Sequence, residues 1–394
     1  MKTFTKIYLC GGQMRKNMKI FFVIFLAIPF LLFKGKELNG NEAMEKVKII
    51  RNAKDPIYGE FKFELVEDIT IGEGIKESSL IVDPWKWKAK IDGKGNIYIL
   101  DSKECKVLKW DKKGNFIQSM GRRGEGPGEF SRPGPWFVGE DQTVWVYDSI
   151  GQKLTKFGSS GELIKQIKIN KHLWDFYIDR EERIFGLMSE WNEQTSVVSF
   201  ARFSREGKME KKLIELPEKL STHFLSRGVV TFSHPYLFNS FFSPFVKDAF
   251  LFGNSEEYKL IVIDNEGKKT AIIEKKEDKV PISRDIKNEV LSWFNISQEL
   301  KGKIMFAPYI PFFDDILTDN EGRIYIRRLP SSPKEFKFSY FDIFDKKGRF
   351  IYKTSFPFEP SVIKDGFIIN LRFAEEKEKY ILTRYRVKNW KDLK

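Results

Sequence analysis

The sequence predicts an all-β molecule, a six-bladed β-propeller of four-stranded antiparallel blades, closed by an N-terminal strand and carrying one short helical insertion. Three observations predict it. A unit of four short apolar runs recurs along the chain with glycine-containing turns between the runs. The sixth copy ends before its last strand. An orphan strand-like stretch, Phe61 to Ile71, stands ahead of the first copy.

The clearest unit runs from Trp85 to Gly121. Asp92-Gly93-Lys94-Gly95-Asn96 and Asp111-Lys112-Lys113-Gly114 are turns built from residues that tolerate positive φ or favour tight reversals. The runs between them are about 5 residues long, a usual strand length. A second unit runs from Trp136 to Ile169, with Gly158-Ser159-Ser160-Gly161 placed 47 residues after Asp111. The third runs from Leu173 to Glu215, the fourth from Phe245 to Lys275, the fifth from Asp314 to Phe356 and the sixth from Val362 to Trp390. A period of this size marks stacked repeats. The length of 394 residues, beyond the roughly 250–300 at which one core stops growing, suits such an array. Pairing Phe61–Ile71 with the incomplete sixth unit removes the open edges that make sheets aggregate.

Two segments break the period. Residues 216–244 are rich in aromatics and hold His223, His234 and Tyr236. In residues 279–313, Ile286, Val290, Leu291 and Phe294 share one helical face with Ser283 placed as the N-cap, which predicts an amphipathic helix resting on the ring. Long loops on a rigid scaffold are the usual place for function.

Composition narrows the partners. Apolar residues make up 41% and aromatics 15%, enough to build a core. The net charge is +13, of which residues 1–43 carry +5; elsewhere lysine and glutamate interleave, which reads as a solvated surface. No basic helix or aromatic-basic motif of a nucleic-acid reader is present, so nucleic acid is not an expected partner. Arg15, Lys16 and Lys19 precede an uncharged run from Ile20 to Phe33. As a helix that run spans roughly 21 Å, short of the ~30 Å hydrocarbon core, so residues 1–43 read as a secretory signal or, failing cleavage, a signal anchor. Residues 44–394 read as the propeller. The expected location is the periplasm or cell surface. Cys10 lies ahead of this run and Cys105 is left single, so no internal disulfide and no zinc spacing are expected.

The run from Gly95 to Phe130, GNIYILD…KVLKWDKKGNFIQSMGRRGEGPGEF, resembles the bacterial exported six-bladed β-propeller family, whose blades are related to NHL repeats. The loop Gly121–Phe130 carries the resemblance most specifically, and Tyr309–Asp315 is also similar. The resemblance implies fold and export but no settled activity. Many members look lipid-anchored, and this chain lacks the cysteine that such an anchor needs.

Candidate binding residues follow from the loops. The glycines of 121–130 suit an anion or an interblade crossover, and Arg122 and Arg123 there suit an acidic ligand at the propeller mouth. His234 and Tyr236 lie in the aromatic insertion, which suits carbohydrate stacking or its own packing. Tyr309 lies in the extended segment before the fifth unit. Arg327 and Arg328 end a strand, where neighbours face opposite sides, so at most one meets a given pocket. Asp101 and Asp148 occupy equivalent repeat positions and are expected to cap their own turns. No nucleophile elbow, dinucleotide fingerprint or recurring His, Asp or Glu on first strands is present. The expected function is therefore a binding or scaffold module for a protein, peptide or carbohydrate outside the cytoplasm. It is expected to be monomeric, with no cofactor and no metal. The alternative is a hydrolase or lyase holding a divalent metal in the central channel.

Overall fold

The computed structural model describes residues 8–10 and 47–394, apart from 73–79, 192–195, 219–220, 226–227, 233 and 378. The run 20–33 lies outside the described residues. No helix among the described residues is long and apolar enough to cross a membrane.

Six antiparallel sheets follow one another in chain order. Blade one comprises Pro84–Ile91, Ile97–Asp101, Lys106–Trp110 and Phe116–Met120. Blade two comprises Pro133–Val138, Val144–Asp148, Lys153–Phe157 and Leu163–Lys168. Blade three runs from Leu173 to Glu218. Blade four comprises Ser240–Phe245, Ala249–Asn254, Lys259–Ile263 and Lys269–Lys275. Its innermost strand thus starts at Ser240, five residues before the boundary read from the sequence. The aromatic pair Phe241-Phe242 belongs to the strand, not to the preceding insertion. Blade five comprises Asp315–Thr318, Ile324–Arg328, Ser339–Phe344 and Phe350–Phe356.

Blade six has three strands from its own repeat, Pro360–Lys364, Phe367–Ala374 and Lys379–Val387. Leu65–Ile71 supplies the fourth by antiparallel pairing, Leu65 opposite Val387 and Ile71 opposite Leu382. Asp68 bulges out of that ladder and its carboxylate accepts from Arg384 Nε at 2.8 Å. The ring is therefore closed by the two ends of the chain.

Each sheet is buried on both faces near its middle, which explains the near-continuous apolar second strands. Every residue of Ile97–Asp101 and of Val144–Asp148 is buried. The core is divided accordingly. One cluster fills each of the six interfaces between neighbouring blades, from Tyr98, Met120, Phe130 and Trp136 between blades one and two to Ile71, Trp110 and Leu371 between six and one. A blade alone has nothing to cover its faces, so stability resides in the stacking.

One turn design recurs on a single face. Asp92, Asp111, Asp179, Asp264, Asp319 and Asp345 each accept through Oδ1 from the backbone N–H two and four residues on. Asn96, Asn115, Arg183, Arg323 and Arg349, each four places on from its aspartate, return to Oδ2 with their side chains.

An N-terminal belt adds to this frame. Lys48–Asn52 pairs in parallel with Lys269–Lys275 as a fifth strand on the rim of blade four. Asn52 then bridges to blade five, donating to Gly348 O at 2.9 Å and accepting from Phe350 N at 2.8 Å. Residues 57–61 continue along the outer strand of blade five, and the chain enters blade six at Leu65. This fifth strand was not anticipated.

The insertion helix forms as predicted, at Arg284–Ser292. Ser283 Oγ accepts from Ile286 N, and Ile286 and Val290 are buried. Together with Tyr236, Phe294, Ile304, Ala307 and Ile310 they make a seventh core that sits on the ring.

Candidate functional site

Antiparallel blades have two kinds of connection. Turns between first and second and between third and fourth strands open on one face. Turns between second and third strands, and the crossovers from each fourth strand to the next first strand, open on the other. The Gly121–Phe130 loop is the crossover from blade one to two, residues 219–239 from three to four, and 276–314 from four to five. All three segments therefore rise from the same crossover face, the second of them carrying the antiparallel pair Ser221–Leu225 and Gly228–Phe232.

On this face the repeat prepares an acidic cap. Asp101 Oδ1 accepts from Lys103 N and Glu104 N within its own turn, while Oδ2 accepts from Val82 N at 2.6 Å in the preceding crossover. Asp148 does the same with Ile150, Gly151 and, at 2.6 Å, Ser131 N. These aspartates are turn caps, as expected, and also fasten the crossover.

Blade five departs from this pattern. Counting nine residues from Asp92 and from Asp319, Arg328 stands where Asp101 stands, and Arg327 where Leu100 does. Arg327 clamps Asp314 bidentately, Nε to Oδ1 at 2.6 Å and Nη2 to Oδ2 at 3.0 Å, and also pairs with Glu359 in the next crossover. Arg328 turns the other way, to Glu277 at 3.3 Å and Asp342 at 3.9 Å. The opposed directions are those expected of adjacent strand residues. Both guanidiniums bind carboxylates of this chain and bracket the insertion at its two ends.

The remaining candidates occupy separate places. Arg122 Nε donates to Glu129 at 2.8 Å, and the other oxygen of Glu129 accepts from Gly126 N at 2.9 Å. The loop's own carboxylate thus occupies its N–H-lined turn. Arg123 reaches Lys103 O. Gly121, at φ +78, lies against the Phe130 ring, where a Cβ would meet Cε2 at 2.4 Å. His234 is buried. Its Nδ1 accepts from Tyr236 N, so Nε2 carries the proton and donates to Met305 O at 2.8 Å. Burial depresses its pKa to about 4. Tyr236 is fully buried and donates to Pro330 O. His234 and Tyr236 thus tie the two insertions together. Tyr309 donates to Glu256 O and carries Lys279 Nζ over its ring at 4.4 Å. Cys105 is buried and free, at φ 55 in its turn.

The channel itself holds a feature the sequence reading did not single out. Lys86, Lys88 and Lys90 lie on the innermost strand of blade one, whose register is interrupted between Pro84 and Ala89 with Lys86 at φ 47, while Ala89 and Ile91 pack into the core between blades six and one. Lys88 Nζ crosses to Asp315 Oδ2 on blade five at 2.6 Å. Lys86 Nζ reaches Trp174 O on blade three at 3.4 Å. Neither pair joins neighbouring blades, so both span the channel. Lys90 Nζ lies 5.5 Å above the Trp136 ring of blade two. Its pKa is lowered by burial, with Lys88 and Lys86 adding to the effect and Asp175 and Asp315 opposing it. Burial pushes Asp315 up, but Lys88 and Arg327 outweigh it and hold that carboxyl below its ordinary value. The signal was present as K-x-K-x-K at the start of a first strand. It was hidden by a lysine-rich composition that made each lysine look like surface.

Among the described residues, no three His, Cys, Asp or Glu side chains group closely enough to hold a metal ion. His172 packs edge-on to Trp174 and Tyr147, away from His234.

The 6-bladed beta-propeller family matches residues 77–314. No curated protein matches the sequence. Similar solved structures include a protein of Bacteroides fragilis NCTC 9343 described as exported, with TM-score 0.53 at 13% identity over 86% of this chain and 100% of that one. Others are a member of the duf4221 family from Bacteroides vulgatus (0.46, 11%, 82% and 98%) and virginiamycin B lyase from Staphylococcus aureus (0.42, 13%, 83% and 100%). At these identities the likeness is one of fold. With six blades stacked in sequence order and the family match spanning most of the ring, the chain belongs to the six-bladed β-propeller family.

Proposed function

We propose that this chain is an exported binding module that captures its ligand on the crossover face, over the mouth of the channel. One observation carries the reading. The glycine-rich crossover and both long insertions emerge on one face, whereas the opposite face is tiled by short, repeated aspartate turns. The signal-like run at 20–33 and the exported relative from Bacteroides fragilis support a site of action outside the cytoplasm. The ligand classes that suit such a face are protein, peptide and carbohydrate, and the ring works as a monomer.

The experiment is site-specific photo-crosslinking in extracts of the native envelope. A photoreactive residue replaces Met305, exposed on the crossover face, or Lys112, exposed in a turn on the opposite one. A discrete adduct is expected from position 305 only. Adducts from position 112 alone, or from neither, would overturn the reading.

A further inference from the structure

We infer that the crossover-face mouth of the channel is a sugar-binding site, in which one face of the Trp174 indole stacks against the C–H face of a pyranose ring of the ligand. This rests on the proposed capture on that face and narrows the ligand to a carbohydrate.

The inference starts from a shared defect in the innermost strands. The pairing of first with second strand shifts register in blades one, two, three and six, between Pro84 and Ala89, Pro133 and Trp136, Leu173 and Asp175, and Pro360 and Val362. Each shift lies near the start of its first strand, at the crossover-face end. A bulge leaves its extra residue out of the ladder and re-aims the side chain. In blade two the residues set out are Gly134 and Pro135, both buried. In blade six it is Ser361, buried, whose Oγ accepts from Ala89 N at 2.6 Å. In blade three it is Trp174, which is 38% exposed, while Leu173 and Phe176 on the same strand are buried. Of the residues set out in these three blades, Trp174 alone carries a large exposed side chain.

Its orientation is fixed within the protein. Trp174 Nε1 donates to Ser189 Oγ at 2.7 Å, near the end of the second strand. His172 stands at 88° to the indole with ring centroids 5.0 Å apart, and is itself edge-on to Tyr147. A ring held perpendicular covers at most one indole face. The N–H is already bonded, so what the indole offers a ligand is its π surface, and a side chain so held loses little freedom on binding.

A cation, an aromatic ring and the apolar face of a sugar are the groups that suit such a surface. A cation is opposed by Lys86, whose Nζ lies 3.4 Å from Trp174 O. An aromatic ligand is best served by apolar surroundings. The neighbours here are the Ser189 hydroxyl, the His172 imidazole, the Lys86 ammonium and, on the next residue, the half-buried carboxylate of Asp175. A pyranose meets both conditions, with C–H groups for the indole and a rim of hydroxyls that donate to and accept from the polar groups around it.

The test uses the full chain labelled with fluorotryptophan and three probes, maltohexaose, cellohexaose and chitohexaose, followed by isothermal titration and fluorine NMR. Saturable binding of at least one oligosaccharide is expected, with a shift of the resonance that is missing from Trp174→Phe. Trp174→Leu keeps apolar bulk without a ring and is expected to weaken binding about tenfold or more, Trp174→Phe to stay within a few-fold, and Lys112→Gln on the opposite face to change nothing. The resonance shift is read on the parent chain, so it decides the matter even where Trp174→Leu melts early. Phenol and tetramethylammonium probe the two other occupants of an indole face. Tighter binding of either than of every oligosaccharide overturns the sugar site. So does equal affinity in a folded Trp174→Leu, an unmoved Trp174 resonance, or no saturable binding of any oligosaccharide. A discrete crosslink from position 305 alongside any of these results leaves the face standing and removes only the sugar, whereas loss of that crosslink removes the face.

Discussion

Lys275 Nζ lies 3.1 Å from Asp342 Oδ2, joining the last strand of blade four to the third strand of blade five with neither side chain exposed beyond 1%. Tyr258 donates to the same oxygen at 2.5 Å, Glu277 pairs with the ammonium, and the rings of Tyr258 and Phe350 cover it at 4.6 and 4.9 Å. Asp342 Oδ1 has no partner among the described residues. Removing one member of such a pair strands a charge, which costs about 3–5 kcal/mol, while removing both is far milder. Lys275→Met is thus expected to lower unfolding free energy by that order in urea titration, and Lys275→Met with Asp342→Asn to recover most of it. Additive losses would show that the two residues act separately.

Ring closure by the amino-terminal strand predicts a second effect. Ile71 is 1% exposed and packs between blades six and one. Ile71→Ala is expected to cost about 2–5 kcal/mol, as for other large-to-small core changes. Deleting Leu65–Ile71 uncovers the ladder of Lys379–Val387, so a sharply lower melting temperature with light scattering from edge-to-edge association is expected. A deletion variant that melts like the parent would mean the ring does not depend on this strand.

His234 makes stability depend on pH in a defined direction. Its folded pKa, about 4, lies below the 6.5 of the free side chain, because burial outweighs the favourable bond to Met305 O. The folded state binds the proton more weakly than the unfolded one. The contribution is therefore complete above pH 6.5 and is lost as pH falls from 6.5 towards 4, by roughly 3 kcal/mol at most. The parent chain should lose more stability than His234→Gln across that window. Parallel curves for the two would show that the imidazole is not buried as described.

Gly121 predicts a backbone effect. Its φ of +78 and the 2.4 Å approach of the Phe130 ring to any added Cβ make Gly121→Ala costly, at about 1–3 kcal/mol for the dihedral alone, before any displacement of the ring. Gly59 shares the dihedral, at φ +79, but has nothing within 4 Å, so Gly59→Ala should cost less. Thermal melts of the two variants check the ordering.

The fold was legible because the turns repeat. Asp92-to-Asn96 and Asp319-to-Arg323 share a geometry that a short motif encodes, and the apolar runs between such turns have few alternatives. The closing strand was legible because the sixth unit lacked one. Local pattern failed where long-range pairing decided the outcome. Lys48–Asn52 finds its partner more than 200 residues away, and Ser240–Phe245 hides inside an aromatic run whose insertion-like composition masks the strand. The mouth was harder still. Arg327 stood out by its type, but its carboxylates, Asp314 and Glu359, come from two different crossovers. Lys90 stood out in no way until the ring turned its strand inward.

The belt from Lys48 to Ile71 also sets how the molecule answers a mechanical load. A pull on its amino-terminal end is borne first by the parallel ladder on blade four, then by the Asn52 bridge, then by residues 57–61, and only last by the strand that seals the ring. Strain applied from that side is shed in stages around the rim. The loops on the crossover face keep their geometry until the final stage gives way.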